Sequence, residues 1–220
     1  MKCKGIIFDL DGTLLNTLKT IAYYCNAALE KYGIVPYAEE KFKYMVGNGA
    51  KNLVHRMLEG RNIKDEDTFQ KVYTHYNDIY NSNTTYLTEI YPGIPALLET
   101  IRDAGMKAAV LSNKPQAATV PIIKSFFGED TFEAVYGGRE GVPLKPDPTA
   151  ALAIAKELDV EPSACLYVGD TSVDMQTGKN AGFYTIGVLW GFRTRQELEE
   201  AKADMIAESP ADIEKLIREA

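Results

Sequence analysis

Short apolar runs alternate with helical patterns along most of the chain, and this alternation restricts the fold more than any other feature. The runs are rich in β-branched residues and predict buried strands over 5–9, 106–112, 133–138, 164–170 and 184–189. Helical spacing of apolar residues fills the segments between the later runs. From about residue 84 onward the pattern is therefore typical of a parallel sheet with helices on both faces. We predict an α/β fold with a Rossmann-like parallel sheet.

The segment between the first two predicted strands is much longer than one crossover helix requires. Its apolar spacing predicts helices over 17–32, 38–45, 50–59 and 65–81, and no convincing strand. Compact domains rarely contain a connection longer than about 15 residues without structure of its own. We therefore predict an α/β core domain formed by 1–15 and 84–220, and a small helical domain over 16–83 inserted after the first strand.

Two stretches of the core carry a less regular pattern. Pro121 lies within a helical pattern that starts at residue 116, and we expect it to end or kink that helix. The charged C-terminal stretch from 195 to 220 has helical spacing. It predicts solvated helices that pack on the edge of the sheet.

The composition of the chain disfavours several classes of binding partner. The 220 residues carry a formal net charge of -7 and no basic stripe, which disfavours nucleic acid as a partner. Cys3, Cys25 and Cys165 form no C-x-x-C pair, so free thiols are expected rather than a disulfide framework or a zinc site. No apolar run approaches the roughly 18 residues of a membrane span, and the first residues lack the basic and long apolar pattern expected of a secretion signal. We expect a cytoplasmic protein with no membrane or nucleic-acid partner, as a monomer or weak homodimer.

Polar residues stand where the predicted strands end. They are Asp9 and Asp11 after the first strand, Ser112, Asn113 and Lys114 after the second, Lys145 beyond the third, and Asp170 and Asp174 after the fourth. Ligands of open parallel sheets bind at the carboxyl ends of the strands. We therefore expect four carboxylates, a hydroxyl and one or two ammonium groups to converge on one rim of the sheet.

Such a cluster of carboxylates needs a cation, and oxygen ligands without His or Cys favour Mg²⁺. A phosphate group could then bind, shielded by the metal, by Lys145 and by backbone N–H groups. Gly12 and Thr13 suit a loop whose backbone approaches an oxyanion closely. Asp9 and Asp11 can then have different catalytic roles, because one carboxylate can act as a nucleophile and the other can donate a proton.

Four segments, in this order along the chain, resemble the signatures of the haloacid dehalogenase (HAD) superfamily. They are FDLDGTLLNT from residue 8, VLSNKP from 110, LKPDP from 144 and VGDTSVDM from 168. The resemblance implies that Asp9 attacks phosphorus and becomes an aspartyl-phosphate. It implies that Asp11 protonates the leaving group and then activates water. Dehalogenases of this superfamily lack that second aspartate, so Asp11 argues against dehalogenation.

The resemblance also implies roles for the remaining core residues. Ser112 would hold a phosphoryl oxygen with Asn113 nearby, and Lys145 would neutralise charge on the nucleophile and the phosphate. Mg²⁺ would be bound by Asp9, Asp170 and the main-chain carbonyl of Asp11. Asp174 would hold the metal or orient its ligands.

The inserted helical segment resembles the small α-helical cap of the superfamily's first cap class, which excludes water and selects the substrate. Two stretches resemble phosphoglycolate phosphatases, namely VGNGAKNLVHRML over 46–58 and SNKP followed by GGREGVPLKPDP. The turn formed by Gly47, Asn48 and Gly49 is a candidate loop for reaching the substrate. Arg56 is a candidate partner for a second anionic group, such as a carboxylate.

The leading expectation is a Mg²⁺-dependent phosphatase for a small phosphorylated metabolite, with phosphoglycolate as the first candidate. Pyrophosphate, sugar phosphates and nucleoside monophosphates are alternative substrates. A phosphomutase similar to β-phosphoglucomutase would keep both aspartates and the same cap. A phospho-accepting signalling module belongs to a different class; its acceptor lies on a middle strand of the chain and it needs no inserted cap. A P-loop enzyme is disfavoured because the chain has no G-x-x-x-x-G-K-[ST] segment.

Overall fold

The computed structural model describes residues 3–219 of the chain. Its strands are β1 Gly5–Phe8, β2 Leu15–Asn16, β3 Glu89–Ile90, β4 Lys107–Pro115, β5 Ala134–Gly138, β6 Cys165–Gly169, β7 Tyr184–Val188 and β8 Met205–Ala207. Its helices are α1 Leu18–Lys31, α2 Glu39–Phe42, α3 Ala50–Glu59, α4 Glu66–Ser82, α5 Ile94–Asp103, α6 Gln116–Phe127, α7 Thr149–Glu157, α8 Ser172–Ala181, α9 Arg195–Glu200 and α10 Pro210–Arg218.

The main sheet has the strand order β5-β4-β1-β6-β7-β8, and every neighbouring pair is parallel. β1 lies between β4 and β6, and all four of its residues are buried. Ile6 and Phe8 join the apolar cluster on one face of the sheet, whereas Ile7 joins the cluster on the other face. A strand buried on both faces must be apolar at every position, which is why β1 appears as a continuous run. The predicted α/β fold is confirmed.

The helices α1–α4 occupy the long segment between β1 and β4. β2 and β3 flank this insertion and pair with each other antiparallel, Leu15 with Ile90 and Asn16 with Glu89. The chain therefore leaves the core and returns to it through two adjacent short strands. The division into a core domain and a helical domain over 16–83 stays a prediction, although the helices begin and end close to its limits.

The C-terminal stretch differs from its sequence-based prediction. α9 and α10 are present, but Met205–Ala207 between them forms the parallel edge strand β8 on β7. The carboxylate of Asp204 accepts hydrogen bonds from the backbone N–H and the hydroxyl of Thr185, both at 2.8 Å, and so fixes the chain beside β7. A strand of three residues is too short to produce a periodic pattern.

Pro121 does not end its helix, since α6 continues to Phe127. A proline at this position has no N–H to donate, and the predicted kink stays a prediction. In the part of the chain described by the structure, no helix combines the length and the apolar character that a membrane crossing demands.

Candidate active site

The carboxyl ends of β1, β4 and β6 bring the predicted polar residues to one rim of the sheet. Asp9 directly follows β1 and its backbone N–H donates to the carbonyl of Val168, so the neighbouring strand fixes its position. Asp170 directly follows β6, and Asp174 lies in the first turn of α8. Asp9 is 7% exposed, and neither Asp170 nor Asp174 has any exposed surface. Three carboxyl groups are thus held together away from water.

Lys145 lies between two of these carboxylates, those of Asp9 and Asp174. Its Nζ is 2.7 Å from Asp9 Oδ1, 2.7 Å from Asp174 Oδ1 and 3.2 Å from the carbonyl oxygen of Leu111. Burial alone would lower the pKa of Lys145, but the carboxylates of Asp174 and Asp9 outweigh burial and hold that pKa well above its ordinary value. The ammonium group therefore stays charged and compensates part of the buried negative charge.

Oxygens of Asp9, Asp170 and Asp174 lie within 4.8 Å of one another, a spacing that suits a single cation. Burial, reinforced by Asp174, raises the pKa of Asp9 to about 7 against the opposing effect of Lys145. Burial, together with Asp174 and Asp9, also raises the pKa of Asp170 well above its ordinary value. Asp170 Oδ2 accepts a hydrogen bond from Phe192 N at 2.7 Å, whereas Oδ1 is buried and has no partner among the described residues. Hard oxygen donors and an unpartnered buried carboxylate oxygen fit a divalent ion such as Mg²⁺.

The start of α8 orients Asp174. Thr171 is the N-cap residue, and Asp174 Oδ2 accepts from its backbone N–H at 3.0 Å and from its hydroxyl at 2.6 Å. This capping box fixes the carboxylate while its other oxygen contacts Lys145. A side chain on Gly169 would lie 2.3 Å from Asp174 Cβ, so the strand can deliver Asp170 here only because the preceding residue is glycine.

The side chain of Asp11 points to a different partner. Both of its carboxylate oxygens lie 2.8 Å from Lys114 Nζ, and Oδ1 also accepts from the Thr17 hydroxyl at 2.7 Å. The Asp11 carboxylate is not part of the group around Lys145, and the predicted metal contact through its main-chain carbonyl stays a prediction. The sequence predicts Lys114 at the end of a strand but assigns it no individual role. That position, directly after Asn113, was the signal that could have identified it.

Ser112 and Asn113 both reach the rim, and the structure shows what Asn113 holds. Its Nδ2 donates to the carbonyls of Gly47 and Lys145 at 3.0 and 3.1 Å, and its Oδ1 accepts from Lys145 N at 2.8 Å. Asn113 thus ties the loop that carries Lys145 to β4 and to the helical insertion. Ser112 is buried, and its hydroxyl accepts from Lys114 N at 3.2 Å.

Besides Lys145, which lies behind Asp9, four predicted substrate-binding residues lie outside the lining of the cavity: Gly12, Thr13, Asn48 and Arg56. The N–H groups of Gly12 and Thr13 donate to Leu15 O and Leu10 O within their own loop. Arg56 donates to Met45 O and to Asn48 Oδ1, both at 2.7 Å. In this structure these residues therefore shape the two loops, and their contact with a substrate stays a prediction.

A cavity of about 40 Å³ lies between the rim and the helical insertion, enough for a few water molecules. The core lines it with Asp9, Asp11, Ser112, Asn113, Lys114, Pro115, Thr171 and Phe192. The insertion lines it with Ile21, Val46, Gly47, Gly49, Ala50, Leu53 and Tyr76. One wall of the cavity is therefore polar and charged, and the other is uncharged.

Comparison with known proteins places these features in a family. The chain is 30% identical over 220 residues to the phosphoglycolate phosphatase of Mannheimia succiniciproducens, covering 97% of this chain and 98% of that protein. It is 32% identical over 213 residues to the phosphoglycolate phosphatase of Aquifex aeolicus, covering 96% and 95%. The crystal structure of a predicted phosphoglycolate phosphatase from Haemophilus somnus has a TM-score of 0.91 at 28% identity, and the match covers 98% of each chain.

Residues 6–188 match the family described as haloacid dehalogenase-like hydrolase. That stretch includes every strand end from which the rim is built, together with the whole helical insertion. The chain therefore belongs to the haloacid dehalogenase-like hydrolases.

Proposed function

We propose that this enzyme, a phosphatase, uses Mg²⁺ and an aspartyl-phosphate on Asp9 to hydrolyse a small phosphate monoester, with phosphoglycolate as the first candidate. One observation carries the proposal. Lys145 donates a hydrogen bond to Asp9 Oδ1, whereas Asp9 Oδ2 accepts no hydrogen bond from the described residues. Asp9 also lines the cavity. A carboxylate held by one oxygen and free at the other is placed to attack. The names of the relatives support phosphoglycolate as the candidate substrate.

Asp9, Asp170 and the main-chain carbonyl of Asp11 would hold Mg²⁺, with Asp174 supporting the site. When bound, the ion neutralises the buried carboxylates and the negative charge of the phosphate. Two features of Asp170 support this assignment: Oδ1 has no partner among the described residues, and burial raises the pKa of the carboxyl group. A bound cation would give that oxygen a partner and would lower that pKa.

In the first half-reaction Asp9 Oδ2 attacks phosphorus, and the bond between phosphorus and the ester oxygen breaks. Asp11, two residues further along the chain, gives a proton to the departing oxygen. Lys145 stabilises the charge on Asp9 and on the transferring group. The Ser112 hydroxyl binds a phosphoryl oxygen.

In the second half-reaction a water molecule attacks the phosphorus of the aspartyl-phosphate. Asp11 accepts the proton of that water, the bond from phosphorus to Asp9 breaks, and inorganic phosphate leaves. The helical insertion acts as the cap, and its uncharged lining excludes bulk water while the substrate is bound.

The test is phosphate release from a panel of phosphate monoesters and pyrophosphate, with Mg²⁺ and with EDTA. We expect turnover with Mg²⁺ that disappears in EDTA and in Asp9→Asn, with phosphoglycolate among the best substrates. After an acid quench, mass spectrometry should detect a phosphoryl group on the peptide that contains Asp9. An isomerised sugar phosphate instead of free phosphate would identify a phosphomutase. A single slow phosphorylation without turnover would identify a phospho-accepting module.

A further inference from the structure

The described lining of the cavity contains one cationic side chain. Of the lining residues within 3–219, Lys114 alone is cationic, and the helical insertion contributes only uncharged residues. Lys145 is not part of this lining and is enclosed between Asp9 and Asp174. Arg56, the cation that sequence analysis suggested for a second anionic group, donates instead to Met45 and Asn48.

Lys114 is buried in a way that demands an acceptor. Its side chain is 7% exposed, and its ammonium nitrogen lies 5.0 Å from the centre of the Tyr80 ring of α4. An ammonium group has three donors, and the described acceptors of Lys114 Nζ are the two oxygens of Asp11. When an Asp11 oxygen turns to hydrogen-bond the leaving group, the buried Lys114 ammonium loses a partner. An acceptor on the substrate is then needed in its place, and a charged acceptor gives the strongest hydrogen bond.

The distances define where this acceptor lies. Lys114 Nζ is 2.8 Å from each Asp11 oxygen, and a hydrogen bond from Asp11 to the leaving oxygen adds about 2.7 Å. The leaving oxygen therefore lies within roughly 5.5 Å of Lys114 Nζ. A carboxylate on the carbon that bears the ester oxygen has its own oxygens about 3 Å from that oxygen, by ordinary bond lengths. A further hydrogen bond of about 2.8 Å then reaches the ammonium group.

We propose that Lys114 binds a carboxylate on the leaving group, and that the enzyme thereby selects phosphate esters of small α-hydroxy acids. This inference rests on the proposed function, since it takes Asp11 as the residue beside the leaving oxygen. It makes Lys114 a specificity-determining residue. The charge selection then comes from the core, because the helical insertion contributes no charged residue to the described lining.

The experiment compares 2-phosphoglycolate with 2-hydroxyethyl phosphate, which has a neutral alcohol in place of the carboxylate. The ratio of kcat/KM for the two esters is measured in the wild type, Lys114→Met, Lys114→Arg and Arg56→Met. We expect the wild type to favour the acid, and Lys114→Met to reduce that preference by about 10- to 100-fold, the range for a hydrogen bond between charged groups. Lys114→Arg keeps the charge and should keep the direction of the preference. Arg56→Met should retain the wild-type ratio.

A binding measurement separates this inference from the proposed reaction. Calorimetric titration of both esters with Mg²⁺, in Asp9→Asn and in Asp9→Asn combined with Lys114→Met, reports recognition without turnover. Loss of the affinity difference in the double variant supports the role of Lys114 even if the wild type releases no phosphate, in which case only the proposed function fails. An equal loss for both esters in Lys114→Met would show that Lys114 only positions Asp11. That result, a wild type without preference, or loss of the preference in Arg56→Met overturns the inference.

Discussion

The ammonium nitrogen of Lys145 lies 2.7 Å from Asp9 Oδ1, although 136 positions separate the two residues in the chain. The same nitrogen contacts Asp174, so one ammonium group compensates the charge of two buried carboxylates. Replacing it leaves both carboxylates buried and uncompensated. This relationship makes Lys145 the point at which catalysis and stability are linked.

We expect Lys145→Met to lower phosphate release by about 10²- to 10³-fold, as for removal of a single stabilising donor. In EDTA it should also destabilise the fold by about 3–5 kcal/mol, the usual cost of breaking a buried pair. Steady-state kinetics and urea unfolding measure the two effects. Lys156→Met, at an exposed position of α7, is the matched control and should stay within about 0.5 kcal/mol of the wild type. A Lys145→Met enzyme with wild-type turnover would contradict the role of Lys145 in stabilising charge on Asp9 and on the transferring group.

Metal removal should make stability depend on pH in an unusual direction. In the absence of metal, burial raises the pKa of Asp9 to about 7 and the pKa of Asp170 well above its ordinary value. Between pH about 4 and 7 the folded state then binds more protons than the unfolded chain, so stability falls as pH rises through this window. We expect the Tm in EDTA to decrease from pH 5 to pH 7.

Mg²⁺ competes with those protons, so the increase in Tm that it causes should grow over the same pH range. Differential scanning calorimetry with Mg²⁺ and with EDTA measures the difference. Asp170→Asn is the control, because it removes one titrating carboxylate and should flatten both the pH dependence and the Mg²⁺ effect. A Tm in EDTA that rises steadily from pH 5 to pH 7 would count against the raised pKa values.

Gly12 should tolerate no side chain, for two separable reasons. Its φ is +87°, and a Cβ would lie 2.4 Å from Asp170 Oδ2. Gly105 also has a positive φ, +68°, but a Cβ there would meet nothing within 4 Å. Gly105→Ala therefore measures backbone strain alone, about 1–2 kcal/mol.

Gly12→Ala should cost more than Gly105→Ala and, in addition, weaken Mg²⁺ binding by displacing Asp170. Urea unfolding gives the first quantity and the rise of Tm with Mg²⁺ concentration gives the second. Equal destabilisation and unchanged Mg²⁺ binding in both variants would mean that the contact with Asp170 has no consequence.

Asp204 should stabilise the edge of the sheet in a pH-dependent way. Burial alone would raise the pKa of Asp204, but hydrogen bonds from Lys179 and Thr185 outweigh it and lower that pKa. The stabilisation is therefore complete above the unfolded pKa and is lost as pH falls through the folded value. Asp204→Asn should lower the Tm at pH 7, and the difference from wild type should shrink below pH about 4.

Asp103→Asn is a suitable control, since Asp103 is exposed and, within residues 3–219, its ion pair is with the neighbouring Arg102. It should change the Tm little at either pH. A deficit in Asp204→Asn that is the same at pH 7 and at pH 3.5 would assign the effect to hydrogen-bond geometry rather than to charge.

The sequence by itself determined the chain order of β1, β4, β5, β6 and β7 with the helices between them. It also determined that Asp9, Asp11, Asp170 and Asp174 follow the ends of β1 and β6. Strands buried on both faces must be apolar throughout, so β1 and β6 are visible as runs, and the residue that follows such a run must lie at the sheet's edge. β2, β3 and β8 were missed, because strands of two or three residues exist only through the partner beside them.

The partners of the charged side chains were decided only by the tertiary structure. Lys114 and Asp11 are 103 positions apart, and no periodicity links them; they meet because β4 pairs with β1 in one particular register. The same packing brings Lys145 under Asp9 and leaves Arg56 within the helical insertion. The spacing of apolar residues within a segment predicts which face of that segment is buried. The pairing of charged side chains depends on distances that arise only when the segments pack together.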